Sequence, residues 1–118
     1  MTNQLRAETT LKFPNDVSYK AKMSLDTCMN IESALNMSIY QLATKLSTGG
    51  LIITDIITII TLAVRSGGND IKDADTKALV SDIGMTKAIA MVGDLLTLAL
   101  MSGDEETDEK KNQTEKVI

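Results

Sequence analysis

Few side chains in this 118-residue chain are suited to chemistry, and their spacing narrows the options further. The densest carboxylate cluster outside the C-terminal end is Asp70, Asp73 and Asp75. It superficially resembles a calcium loop, but such a loop needs glycine at its sixth position and a bidentate glutamate at its twelfth. Here those positions hold Asp75 and Ser81. Acid–base catalysis by paired carboxylates needs two groups in contrasting environments, which a solvated surface run does not supply. The reading for this cluster is helix capping by Asp73. With no histidine and one cysteine, Cys28, the chain cannot build a tetrahedral nitrogen–sulfur metal site or an internal disulfide. Gly49-Gly50 and Gly67-Gly68 lack the following Gly-Lys-Ser/Thr of a phosphate loop. A serine or threonine nucleophile would have only lysine as its base. The expectation is a non-enzymatic protein without metal or cofactor, acting by binding.

Charge and hydropathy limit the partners. Residues 1–102 carry nine basic and ten acidic groups, net −1, and residues 103–118 carry three basic and six acidic, net −3. Nothing forms the basic stripe that phosphate backbones attract, so nucleic acid is not an expected partner. The longest apolar stretch, Leu51 to Val64, contains Asp55 and three threonines. It falls short of the ~20 residues of a membrane span. No charged-then-apolar leader opens the sequence. A protein of a reducing compartment, away from membranes, is expected, with Cys28 an inert thiol among apolar neighbours.

The elements follow from periodicity. Leu5 to Lys12, with Phe13 following, suits a strand, and Pro14-Asn15-Asp16 is a turn cluster. From Val17 to Met23 apolar residues alternate with Ser18, Lys20 and Lys22, the pattern of a half-buried strand. Ser24 is placed to cap a helix running to about Leu35, with Leu25, Cys28, Met29, Ile31 and Leu35 as its apolar face. Ser38 and Gln41 have capping-box spacing for a helix ended by Gly49-Gly50. The β-branched run after Leu51 suggests a strand. Yet Asp55, Thr58, Thr61 and Arg65 are spaced three, three and four, one stripe of a helix, so a helix is expected over Thr54 to Ser66. Gly67-Gly68 stops it. Further helices are expected from Asp73 to Ile83, ended by Gly84, and from a Thr86 cap to about Met101, ended by Gly103. The predicted architecture is α+β: an N-terminal β-hairpin packed on a compact bundle of about five short helices. Residues 1–103 would form one domain and residues 104–118 a disordered acidic tail.

Two helices carry more apolar arc than one small core needs, which suggests an interface. The candidate partner surface joins Ile56 and Ile60 to Met91, Leu95, Leu98 and Met101. Methionine repacks readily around a partner, which favours Met91 and Met101 as groove residues.

The order of these parts carries a resemblance. The hairpin is followed by Leu25, Ile31, Glu32, Ala34, Leu35 and Asn36 in one helix and Gln41-Leu42 in the next. Then come Gly49-Gly50-Leu51, a helix led by Asp55, and Ala63-Val64-Arg65-Ser66-Gly67-Gly68. Over about residues 5–101 this resembles the small tail proteins of long-tailed phages and gene transfer agents grouped as phage tail assembly chaperones. The resemblance implies a non-enzymatic factor that holds the tape-measure protein soluble in the host cytoplasm and helps recruit tail-tube protein. Such a factor leaves before the virion is complete. Self-association is a further option. The alternative is a structural tail protein retained in the virion, a tail-tube or tail-completion component. A tube wall would normally call for more sheet than two visible strands. A helical regulatory module would need a basic recognition helix, which is missing.

Overall fold

The computed structural model describes residues 7–111, with side chains described through Met101. Two strands, β1 (Glu8–Phe13) and β2 (Val17–Lys22), precede five helices: α1 (Leu25–Leu35), α2 (Ile39–Thr48), α3 (Ile53–Ser66), α4 (Asp73–Ile83) and α5 (Met85–Lys111). The expected α+β architecture is the observed one.

The strands pair antiparallel, with Glu8 opposite Lys22, Leu11 opposite Tyr19 and Phe13 opposite Val17. The turn works because Asn15 and Asp16 both take positive φ, 65° and 61°. Their short polar side chains tolerate that region, and the left-handed pair suits the twist of a hairpin. Strand alternation sends Leu11, Phe13, Ala21 and Met23 into the core and leaves Thr10, Lys12, Ser18 and Lys20 exposed.

Helix α3 is the centre of the molecule. It packs against β2, α1, α4 and α5. Ile56, Ile57, Ile59, Ile60, Ala63 and Val64 are all buried along it. Its wide apolar arc is therefore absorbed on several sides. Thr61, a member of the polar stripe that marks the helix in the sequence, is buried as well, because α4 lies across it. Its hydroxyl meets that of buried Thr76 at 2.6 Å, which satisfies both groups away from water.

The C-terminal end of α3 touches the hairpin backbone. A Cβ on Gly67 would stand 2.5 Å from the Lys20 carbonyl carbon and 3.0 Å from the Ala21 nitrogen, so no larger residue fits this crossing. Gly67 itself has an ordinary φ of −79°; it serves close approach more than helix termination. Asn69 Nδ2 completes the joint, donating to the carbonyls of Lys20 at 3.0 Å and Val64 at 3.1 Å. The ladder is in phase with the Met23 N–H to Ala7 carbonyl bond, which turns the Lys20 carbonyl outward. Asn69 thus covers an acceptor on the outer edge of β2.

Most helix ends lie where the sequence places them. Ser24 Oγ accepts from Thr27 N–H at 3.3 Å, and Asn36 ends α1 at φ 56°. The Ser38–Gln41 capping box forms in both directions, at 3.0 and 2.8 Å. Three ends differ. The α4 start is held by Asp75, whose carboxylate accepts from Lys72 N–H at 2.9 Å, while Asp73 is already the first helical residue. Helix α5 starts at Met85, not from a Thr86 cap: the Gly84 carbonyl accepts the first bond, from Ala88 N–H. And α5 does not stop at Gly103; its backbone stays helical through Lys111. A mid-helix glycine costs only about 1 kcal/mol, and the residues that follow are rich in the strong helix formers Glu and Lys. Residues 112–118 of the expected tail, and Leu5 and Arg6 of the expected first strand, lie outside the described residues.

Candidate interaction surfaces

Among the described residues, no three His, Cys, Asp or Glu side chains stand close enough to share a metal ion. Asp70, Asp73 and Asp75 are exposed, and Asp75 is engaged at the α4 start. Cys28 is half-buried on α1; burial first, and the Glu32 charge second, raise its pKa, so the thiol stays protonated. No described helix alone is long and apolar enough to cross a membrane.

The six partner-surface candidates fall into separate places. Ile56, Ile60 and Leu95 are at most 1% exposed and fill the core, so they present nothing to a partner while the domain is folded. A wide apolar arc signals either a central helix or an interface, and for α3 the four surrounding elements decide for the first. Met91 is half-buried and packs on the same core. Leu98 is half-buried and Met101 is 53% exposed. These last two come together, lining a groove of about 210 Å³ with Glu8, Thr9, Asp94 and Thr97, between the start of β1 and α5.

Other large apolar side chains are exposed on the first three helices. Leu25 is 77% exposed and Met29 55%, one turn apart on α1. Tyr40 is 69% exposed at the start of α2 and lines a shallow recess with Gln41, Thr44 and Lys45. Ile52 and Ile53 are exposed at the start of α3. The sequence assigns Leu25 and Met29 to the inner face of α1. The inner face is instead turned toward Thr27 and Ile31, because buried Thr27 donates to Ser66 Oγ at 2.6 Å across the α1–α3 contact. A bond between residues 39 apart leaves no local trace in the sequence.

The exposed face of the hairpin is basic. Lys12, Lys20 and Lys22 stand on it with Glu8, opposite Ser18, Thr10 and Glu8 in the ladder. Val17, at the turn end, is 36% exposed.

No curated protein and no solved structure matches the chain. Residues 6–102 match the model of a family described as phage tail tube protein, GTA-gp10. The matched span takes in the hairpin, α1 to α4 and α5 past Met101, well over half of the sequence. It agrees with the resemblance at the level of a phage tail protein, and its description names the tube and not a chaperone. The chain belongs to this family of phage tail proteins.

Proposed function

We propose that the chain is a non-catalytic component of the phage tail, built into or onto the tail tube and working through docking to other tail proteins. The family match over residues 6–102 carries this reading. The exposed apolar side chains of Leu25 and Met29, one turn apart on α1, support it, since an exposed apolar patch marks an interaction surface. Quantitative mass spectrometry of purified, DNA-filled particles tests it. A retained tail component appears at a fixed copy number in every preparation. Its absence from particles whose other tail proteins are present would refute retention.

One observation favours a second reading, that of an assembly chaperone. The only sheet among the described residues is the two-stranded hairpin, and a tube wall normally needs more. A chaperone needs no wall. It would hold the tape-measure protein soluble in the host cytoplasm, help recruit tube subunits and leave before completion. The same experiment separates the two. A chaperone co-purifies with the tape-measure protein from cells blocked in tube formation and is missing from finished particles.

A further inference from the structure

We infer that the outer edge of β1 takes up an extended segment of a different protein as a third strand, one apolar side chain of that segment seating against Leu98 and Met101. The inference rests on the proposed docking to other tail proteins and names a contact that would perform it. The phase of the ladder is the starting point. Met23 N–H bonds the Ala7 carbonyl, and Thr9, Leu11 and Phe13 keep that phase opposite Ala21, Tyr19 and Val17. Their backbone N–H and C=O groups point into the hairpin. Those of Glu8, Thr10 and Lys12 point out of it, and no described backbone group bonds to them. The opposite edge differs, because Gly67 and Asn69 close β2 at Lys20. The hairpin has one shut edge and one open edge.

The outward donors and acceptors of Glu8, Thr10 and Lys12 repeat along the open edge over about 13 Å. Backbone groups at that spacing are matched by the backbone of another extended chain. The groove beside β1 shows where a side chain of that chain would go. Glu8 and Thr9 both line it. Successive residues of a strand point to opposite faces, so a groove that touches both opens at the margin of the strand and not over one face. Its other described lining residues lie on α5 and none on β2, which puts it at the open edge. Leu98 and Met101 form its apolar wall.

Charge selects the segment. Glu8 already faces Lys22 across the ladder, whereas Lys12 is exposed and stands opposite Ser18. Lys20, the diagonal neighbour of Lys12, is exposed on the same face. The outer face along this edge is therefore cationic. It draws a carboxylate and disfavours a second copy, whose own open edge carries the same lysines. The occupant is a segment of another protein with the strand period of two. Its apolar residues turn toward α5 and alternate with Asp or Glu on the outer face. Main-chain bonds supply the affinity, and the groove and Lys12 supply the choice of side chains.

Short overlapping synthetic peptides covering the other tail proteins of the same phage, titrated against the purified full chain, test this. Peptides with that alternation should bind, and binding should slow hydrogen exchange at the Thr10 and Lys12 amides, read by NMR. Thr10→Pro removes an outward N–H without touching the β1–β2 ladder, so it should fold. It should weaken binding ~10-fold or more, since an edge proline blocks strand addition. Lys12→Glu should weaken binding of the acidic peptides and restore it when their carboxylates are replaced by lysines. The inference is overturned if no peptide binds, if binding survives both variants, or if the lysine peptides fail to rescue Lys12→Glu. It is also overturned if the Thr10 and Lys12 amides are already protected in a free chain heavier than 12.7 kDa by sedimentation, because a second copy then covers the edge. Should Thr10→Pro not fold by circular dichroism, Lys12→Glu and the exchange data decide. Retention in finished particles is measured separately, so failure here leaves the tail reading untouched.

Discussion

Replacing Gly67 with alanine sets two effects against each other, and the structure says which wins. Gly67 has φ −79° and ψ 2°, a conformation alanine adopts without strain. Chain entropy alone would make Gly67→Ala stabilising by ~0.4–1 kcal/mol. The new Cβ, however, would stand 2.5 Å from the Lys20 carbonyl carbon. Carbon atoms in contact prefer about 3.5–4.0 Å, so the hairpin must retreat from α3 by roughly 1 Å. The obstacle is β2 backbone, paired to β1 on its other side, and it cannot turn away as a side chain would. A retreat also pulls the Lys20 carbonyl from Asn69 Nδ2, now 3.0 Å away, and loosens Ala21 and Met23 from the core. Overpacking of this kind costs about 1–3 kcal/mol and a lost hydrogen bond about 1 more. After the entropy gain, a net loss of about 2–3 kcal/mol is expected. For a domain of this size it lowers Tm by about 10–20 °C. Thermal melting followed by circular dichroism is the assay, with Gly93→Ala as control. Gly93 lies inside α5 and its Cβ would meet only Leu46 Cδ2, at 3.4 Å. That variant should melt at or a few degrees above the native chain. If Gly67→Ala melts with or above the native protein, the close crossing of α3 and β2 is wrong.

Asp75→Ala should cost ~1 kcal/mol in urea denaturation and Asp73→Ala a few tenths at most, because only Asp75 accepts from Lys72 N–H; equal losses would contradict the assignment. Thr61→Val should cost about 1 kcal/mol by leaving the Thr76 hydroxyl only its long bond to the Lys72 carbonyl, 3.5 Å, and the Thr61→Val/Thr76→Val double variant should recover part of that, as a double-mutant cycle will read. Truncation after Gly103 should leave Tm within ~5 °C of the native value, since among the described residues the core cluster and the side chains packed on it end at Leu100. The raised pKa of Cys28 means the unfolded chain ionises first, so its contribution to stability is intact below the ordinary thiol pKa and lost as pH rises through the folded value. Cys28→Ala should flatten that alkaline decline, and the native thiol should react with a disulfide reagent more slowly than the same thiol in urea.

What the sequence discloses here is what is decided locally. The hairpin is legible because two strands and their Asn15-Asp16 turn are neighbours, and the Ser38–Gln41 box because its partners are three residues apart. The helical nature of α3 is legible despite its isoleucines, because polar spacing outranks β-branched content. Its surroundings are not: a broad apolar arc is equally consistent with a helix in the middle and a helix at an interface, so Ile56, Ile60 and Leu95 read as surface candidates and stand in the core. Leu98 and Met101 fare differently because they lie where the apolar face of α5 meets the charged run. The rotation of α1 that exposes Leu25 and Met29 hangs on the Thr27–Ser66 bond, a tertiary fact without a local signature. Asp75 displaces Asp73 as the cap because the helix entry depends on how the chain arrives from Ile71, whose carbonyl is held by Arg65 Nε at 2.7 Å.

The Asn69 clasp also bears on the order of events during synthesis. The hairpin emerges from the ribosome before the amide that covers its outer acceptor, which arrives 49 residues after Lys20. At about 5–20 residues per second that is a wait of roughly 2–10 s. For most of that interval the nascent hairpin has neither a complete α3 beneath it nor Asn69 on its edge, and a two-stranded hairpin is marginal in water by itself. The outer edge of the hairpin therefore stays uncovered until α3 and Asn69 have been made. In a cell filling with many copies at once, that window leaves newly made strands open to pairing with each other.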